Sequence, residues 1–204
     1  WGRAEIDRLE LEPVFESIGA LPLTRIDEYD NGAFARSIDV VPRPGFTYRH
    51  VALQNALLTW ATEQGAEVLR PARVTRFLAG NEPALAVETV DGAVTIRARL
   101  VVAATGKESR ARTWTGGASE VDPEHHRFGG VTITGAVFPD GALLLTQHSP
   151  EQAIMFRLDE EHARLYLRAF PEEIAALGLD RSFDAMLAYV RPWFATEVLA
   201  HARQ

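Results

Sequence analysis

The sequence predicts a mixed α+β and α/β fold, and three observations carry that expectation. Residues 49–64 place Leu53, Ala56, Leu57, Trp60 and Ala61 at three- and four-residue spacing, the stripe of an amphipathic helix. Residues 66–104 then read as successive short strands, closed by the unbroken apolar run Leu100 to Ala104. Residues 129–169 pair off as two hairpins and are followed by two short helical patterns. One part of the chain is therefore helix, β-meander and buried strand. The other is an antiparallel sheet backed by helices.

Bulk properties limit what such a chain does. At 204 residues and 47% hydrophobic it can bury the core of one domain or two small ones. The net charge is -7, with acidic and basic residues interleaved and no basic patch, so nucleic acid is excluded as an expected partner. The absence of Cys removes disulfides, thiol catalysis and thiolate metal sites, and fits a reducing, cytoplasmic setting. No apolar run approaches the ~20 residues of a membrane span, and no signal peptide is visible. The first residue is Trp1 and it opens directly into a helical pattern, so the chain reads as a piece of a longer protein.

Taken in order, residues 1–20 carry Ile6, Leu9, Val14, Phe15 and Ile18 at helical spacing, with Pro13 dividing them into two short helices and Gly19 as a C-cap. Residues 22–40 form a β-hairpin about Asn31-Gly32, which supplies the two positive-φ positions of a tight turn. Pro42, Pro44 and Gly45 make a linker, and Gly65 caps the helix over 49–64. Strands follow at Ala66 to Leu69, Arg73 to Leu78, Ala84 to Val90 and Ala93 to Ala98, the last two joined by Asp91-Gly92. Gly116-Gly117 and Asp122-Pro123 mark a boundary. Strands at 129–138 and 141–147 meet at Phe138-Pro139-Asp140-Gly141, and Ala153 to Leu158 pairs with Ala163 to Ala169. Helices are expected at 171–177 and 182–190, the second capped by Ser182.

The run from Arg99 to Arg112 is the most informative. Leu100 to Ala104 reads as a buried strand, and Thr105 with Glu108 three residues on forms a capping box for a helix beginning at Gly106. A strand running into a capped helix presents free backbone N–H groups at the carboxyl end of a sheet, where an anion is well held.

Strand-Ala103-Ala104-Thr105-Gly106-x-x-Ser109-x-x-Arg112 resembles the second flavin fingerprint, Gly-Ala-Asp-Gly-x-x-Ser-x-x-Arg, of the single-component FAD-dependent aromatic hydroxylases, the para-hydroxybenzoate hydroxylase-like flavoprotein monooxygenases. Gly106, Ser109 and Arg112 match; Ala103 replaces the first Gly, and Thr105 replaces the Asp. The order of elements also resembles that family over nearly the whole chain. The resemblance implies an incomplete FAD-binding Rossmann-like domain and an antiparallel substrate-binding sheet backed by helices. Its boundaries would be a helical lead-in at 1–20, a substrate-domain hairpin at 21–47, a partial FAD domain at 48–117 and a substrate domain at 118–204. It further implies flavin contacts at Thr105 and Gly106, an adenine contact through the backbone of Val74, and a flavin contact at the start of the helix from Arg49 and His50. The family's first fingerprint, Gly-x-Gly-x-x-Gly, and its Gly-Asp motif occur nowhere here, which implies truncation at both ends.

The activity so implied is hydroxylation of an aromatic or similar apolar small molecule, with NAD(P)H reducing FAD and O2 adding to form a flavin hydroperoxide. The chain alone is expected to be inactive and to take up no stoichiometric flavin. No catalytic side chain is expected, since the flavin carries the chemistry. Ser149 follows His148 without a Gly-x-Ser-x-Gly elbow, and no His-Glu-x-x-His occurs, so neither a triad nor a metal site is assigned. His125-His126, beside Asp122 and Glu124, reads as a polar loop. Thr132, Thr134, Thr146, His148, Met155 and Arg157 are candidates for a substrate pocket, unsorted by strand parity. Two alternatives stay open: a related flavoprotein such as a halogenase or isoprenoid reductase, and a cofactor-free α+β binding module.

Overall fold

Asn31 and Gly32 both take positive φ, 48° and 81°, and turn the chain tightly between two strands. The computed structural model describes every residue except Trp1, Val41, Lys107 to Ser109, Ser119 and Ser149. In chain order the elements are α1 (Gly2–Arg8), α2 (Glu12–Ser17), β1 (Leu21–Leu23), β2 (Arg25–Asp30), β3 (Ala33–Asp39), β4 (Gly45–Thr47) and α3 (His50–Glu63). Then come β5 (Ala72–Leu78), β6 (Ala84–Thr89), β7 (Gly92–Arg97) and α4 (Ala111–Trp114). Last are β8 (Arg127–Thr134), β9 (Ala142–His148), β10 (Glu151–Arg157), β11 (His162–Ala169), α5 (Pro171–Leu177) and α6 (Phe183–Val190), with a 3₁₀ turn over Arg191–Trp193. The chain divides into two compact units, one of Trp1–Ala61 with Glu124–Gln204 and one of Thr62–Pro123.

The first unit is built on a six-stranded sheet in the order β3-β2-β9-β10-β11-β8. The 22–40 hairpin joins this sheet through a parallel pairing of β2 with β9, while the other neighbours are antiparallel. Side chains alternate along each strand. One set, including Ile133, Leu144, Met155 and Leu165, is fully buried beneath Met186, Leu187, Val190 and Phe194. Each such side chain contributes ~2 kcal/mol of apolar burial. Ser182 caps α6 as expected: its Oγ accepts from the Ala185 N–H at 3.2 Å. Buried Thr146 is satisfied within the sheet, accepting from the Ala153 N–H at 3.0 Å.

A second, smaller core in the same unit joins α2 and α3. Leu11, Val14, Phe15 and Leu53 are buried there, with Ala56, Leu57 and Trp60 packed against them, so the apolar stripe of α3 faces this core. Pro13 sits in the first turn of α2, where it has no N–H to lose from the helix ladder. Phe15 stacks on Phe46 at 4.9 Å between ring centres, tying α2 to the short β1–β4 ribbon.

The second unit holds the meander β5-β6-β7, with Ala84 and Val87 buried. Three expectations are corrected here and two in the first unit. Leu100 to Ala104 is not a buried strand: it pairs with no strand among the described residues, and Leu100 and Val102 are 76% and 77% exposed. An apolar run becomes a buried strand only when ladder partners flank it. The helix does not begin at Gly106, whose φ of +79° is left-handed; α4 starts at Ala111 with Arg110 at its N-cap position. Glu108, the other half of the expected capping box, and Ser109 of the fingerprint lie outside the described residues. Ala66 to Leu69 forms no strand, because no neighbour completes a ladder with it among the described residues. In the first unit, the strand expected over 129–138 ends at Thr134, where Gly135 turns left-handed with φ +73°. The hairpin expected between it and 141–147 does not form either: the chain leaves β8 at Gly135, β8 pairs with β11, and β9 lies between β2 and β10.

Candidate cofactor site

In the second unit a cavity of about 440 Å³ lies between β5, the segment 101–105 and α4. Its apolar wall comes from Val74, Phe77, Leu85, Val101 and Trp114, and its polar groups from Arg73, Thr105, Arg110 and Thr115. Strand alternation alone would send Val74 and Phe77 to opposite faces. The register of β5 against β6 shifts between Val74 and Arg76, a β-bulge, and the shift turns both side chains to the same cavity. Arg110 at the N-cap of α4 and Trp114 at its end stand one turn apart, and both line the cavity.

Two of the five residues expected at a cofactor, Val74 and Thr105, line this one cavity. Gly106 follows Thr105 directly. A Cβ built on it would meet no atom within 4 Å, so its glycine is required by its φ rather than by crowding.

Arg49 and His50 belong to the first unit, where both are exposed at the start of α3. The Arg49 carbonyl accepts from the Leu53 N–H at 3.1 Å, which makes Arg49 the N-cap position. Its guanidinium is engaged: Nη2 and Nε donate to Asp159 Oδ2 at 2.5 and 3.1 Å, across 110 residues of sequence. Asp159 Oδ1 accepts in turn from the N–H groups of Glu161 and His162 and lies 2.8 Å from His162 Nδ1. Burial works to raise the Asp159 carboxyl. The hydrogen bonds from Arg49, His162 and the turn backbone outweigh it and hold the group well below the usual carboxylate range.

The structure sorts the candidate pocket residues on the sheet. Thr146 and Met155 point into the helix-covered core, with 1% and 0% exposure. Arg157 lies over the Phe138 ring at 4.8 Å and donates to the Phe138 carbonyl, and His148 stacks on Trp193. Thr132 and Thr134 alternate with buried Ile133 and so belong to the opposite face. That face also carries Tyr166, Arg164, Phe156 and Phe128, none of which the sequence singled out. A signal for it was present: in β11 the residues His162, Arg164, Tyr166 and Arg168 alternate strictly with Ala163, Leu165, Leu167 and Ala169.

Neither a protein-family model nor a curated protein matches the sequence. Solved structures do match in fold. A flavoprotein/dehydrogenase from Cytophaga hutchinsonii superposes with TM-score 0.76 and 15% identity, over 98% of this chain and 54% of that one. PqsL from Pseudomonas aeruginosa, described as a probable FAD-dependent monooxygenase, gives TM-score 0.74 and 17% identity over 96% of this chain and 56% of that one. It has also been solved with 2-aminobenzoylacetate. A triple mutant of the flavin-dependent brominase Bmp2 gives TM-score 0.76 and 12% identity over 98% of this chain and 53% of that one. At such identities the likeness is one of fold. Over about half the length of these structures, the chain has the mixed α+β fold found in FAD-dependent monooxygenases and flavin-dependent halogenases.

Proposed function

We propose that the chain is part of a FAD- and NAD(P)H-dependent monooxygenase that hydroxylates a small aromatic molecule. The observation that carries the reading is the cavity shared by Val74 and Thr105, two residues 31 positions apart that the resemblance assigns to one cofactor. The residues present suit one end of that cofactor. The flat apolar walls of Val74, Phe77 and Trp114 match a planar heterocycle, and Arg73 and Arg110 match phosphate. The cavity lies in the range of small-ligand pockets, ~300–1,000 Å³, which suits a nucleoside end rather than a whole dinucleotide. The Rossmann-like character of residues 48–117, and the assignment of 21–47 and 118–204 to the substrate, belong to the same proposal.

When bound, the flavin accepts reducing equivalents from NAD(P)H and supplies the O2 chemistry that places one oxygen atom on the substrate. The chain's own work is binding, orientation and exclusion of water. The backbone of Val74 would hold the adenine edge, and Thr105 and Gly106 would border the pyrophosphate. Arg49 and His50 would face the flavin, with Asp159 fixing the Arg49 side chain. The PqsL complex with 2-aminobenzoylacetate supports an aromatic substrate class, and halogenation is not favoured over hydroxylation by any residue described here.

The test is expression at the full length of the gene product. The expected result is a yellow protein whose NAD(P)H oxidation and O2 consumption rise with an aromatic substrate, and whose FAD affinity falls in Val74→Arg. A colourless protein that takes up no FAD, or a flavoprotein that never consumes O2, overturns the reading.

A further inference from the structure

One carboxylate, Asp159, holds an arginine and a histidine together. Its Oδ2 accepts from Nη2 and Nε of Arg49 at 2.5 and 3.1 Å, and its Oδ1 lies 2.8 Å from Nδ1 of His162. Oδ1 also accepts from the N–H groups of Glu161 and His162 at 3.0 and 2.8 Å, so the turn is already closed without the imidazole. A carboxylate bonded to a guanidinium is an acceptor only, which puts the proton of the imidazole contact on Nδ1. The neutral ring then carries its lone pair on Nε2. Nε2 has no hydrogen-bond partner among the described residues, and the side chain is 34% exposed. His148 is built differently: its Nδ1 meets the amide oxygen of Asn31 at 3.1 Å, its ring is stacked on Trp193, and no carboxylate is bonded to it among the described residues.

A carboxylate behind one imidazole nitrogen and a free lone pair on the other is the arrangement of a general base: the carboxylate fixes the tautomer and stabilises the imidazolium that forms. His162 also opens the row of β11 that runs on through Arg164 to Tyr166, whose ring stacks on Phe128 at 4.9 Å between ring centres. Of the groups a small aromatic molecule carries, a ring hydroxyl has the proton that imidazole can take, since a phenol ionises at about 10 against about 6.5 for imidazole. A ring amine or an alkyl hydroxyl is far less acidic. We propose that His162 is a general base that takes the proton of an aromatic hydroxyl group at Nε2, with Asp159 as its positioning residue. In that step the O–H bond breaks, the electron pair stays on the ligand oxygen, and the proton passes to Nε2 and on to water; nothing is oxidised or reduced. Calling the ligand a substrate rests on the monooxygenase reading; the proton transfer itself needs no flavin.

The test uses 4-fluorophenol, whose fluorine resonance reports its ionisation, and 4-fluoroanisole, which has no proton to give. With the full-length gene product, bound 4-fluorophenol is expected to ionise at a pH lower than the free compound, by a ~10-fold shift of the equilibrium or more. His162→Gln should abolish that shift while 4-fluoroanisole still binds, and Asp159→Asn should reduce it. In nitrogen NMR spectra of the 204-residue chain, the His162 ring should show the Nδ1–H tautomer. Thermal midpoints of the variants, measured alongside, separate a lost base from lost folding. An Nε2–H tautomer, a bound phenol that ionises like the free one, a shift that survives His162→Gln, or no binding of 4-fluorophenol overturns the proposal. Flavin-dependent hydroxylation of 4-fluorophenol as fast in His162→Gln as in the wild type would sink the base alone. A colourless full-length protein in which the shift is intact would sink the monooxygenase reading alone.

Discussion

The ring of Tyr166 lies across the backbone of Gly130, its direct register partner on β8, so that a Cβ at 130 would stand 2.8 Å from Tyr166 Cε1 and 2.9 Å from the Leu165 carbonyl oxygen. The stack of Phe128 on Tyr166 therefore depends on a glycine one strand away. Gly130→Ala is expected to cost ~1–3 kcal/mol, the range for overpacking, because the ring or the strand must shift. Gly129→Ala is the control, since a Cβ there meets nothing within 4 Å. Urea midpoints decide the matter: equal losses at the two positions would contradict the role given to Gly130.

Asp159 joins the β10–β11 turn to the start of α3 through Arg49. Its carboxyl sits below its ordinary value in the folded chain, so the folded state prefers the ionised form. The stabilisation is fully present above the unfolded value of about 4, and it is lost as pH falls toward the depressed folded value. Because the group is partly exposed, Asp159→Asn should cost only roughly 1 kcal/mol near neutral pH. The gap between variant and wild type should narrow in denaturation curves at pH about 3, where the unfolded Asp takes up its proton. A gap unchanged by that drop would refute the linkage.

Ser182 caps α6, its Oγ accepting from the Ala185 N–H at 3.2 Å. Ser182→Ala should lower stability by ~1 kcal/mol, and Ser182→Asp should recover most of it by keeping the acceptor and adding a charge suited to a helix start. Thermal melts of both variants suffice. Identical losses would show that the cap is not what Ser182 contributes.

Gly106 has open space around it but a left-handed φ of +79°. Gly106→Ala should cost ~1 kcal/mol through backbone strain alone, and Gly106→Asn less, since Asn tolerates that region. In the full-length protein Gly106→Val should reduce FAD affinity further than it reduces stability. Flavin titrations that match the wild type would remove Gly106 from the cofactor's surroundings.

What the residues determined on their own is the local structure. The Asn31-Gly32 and Asp91-Gly92 turns, the α3 stripe, the Ser182 cap and the β10–β11 hairpin all follow from period and turn chemistry, which act between near neighbours in the chain. The same kind of signal failed where a structure needs distant partners. Leu100 to Ala104 has the composition of a buried strand, but burial is a property of flanking strands, and among the described residues it has none. The shift in β5 that brings Val74 and Phe77 to one cavity comes from pairing with β6, not from their spacing, which predicts opposite faces. Arg49 finds Asp159 across 110 residues, and Arg164 gathers Thr132 and Tyr166 only because β11 lies beside β8. Hydrogen bonds between sequence-distant groups form when strand order and register set them side by side, and only the folded sheet decides both.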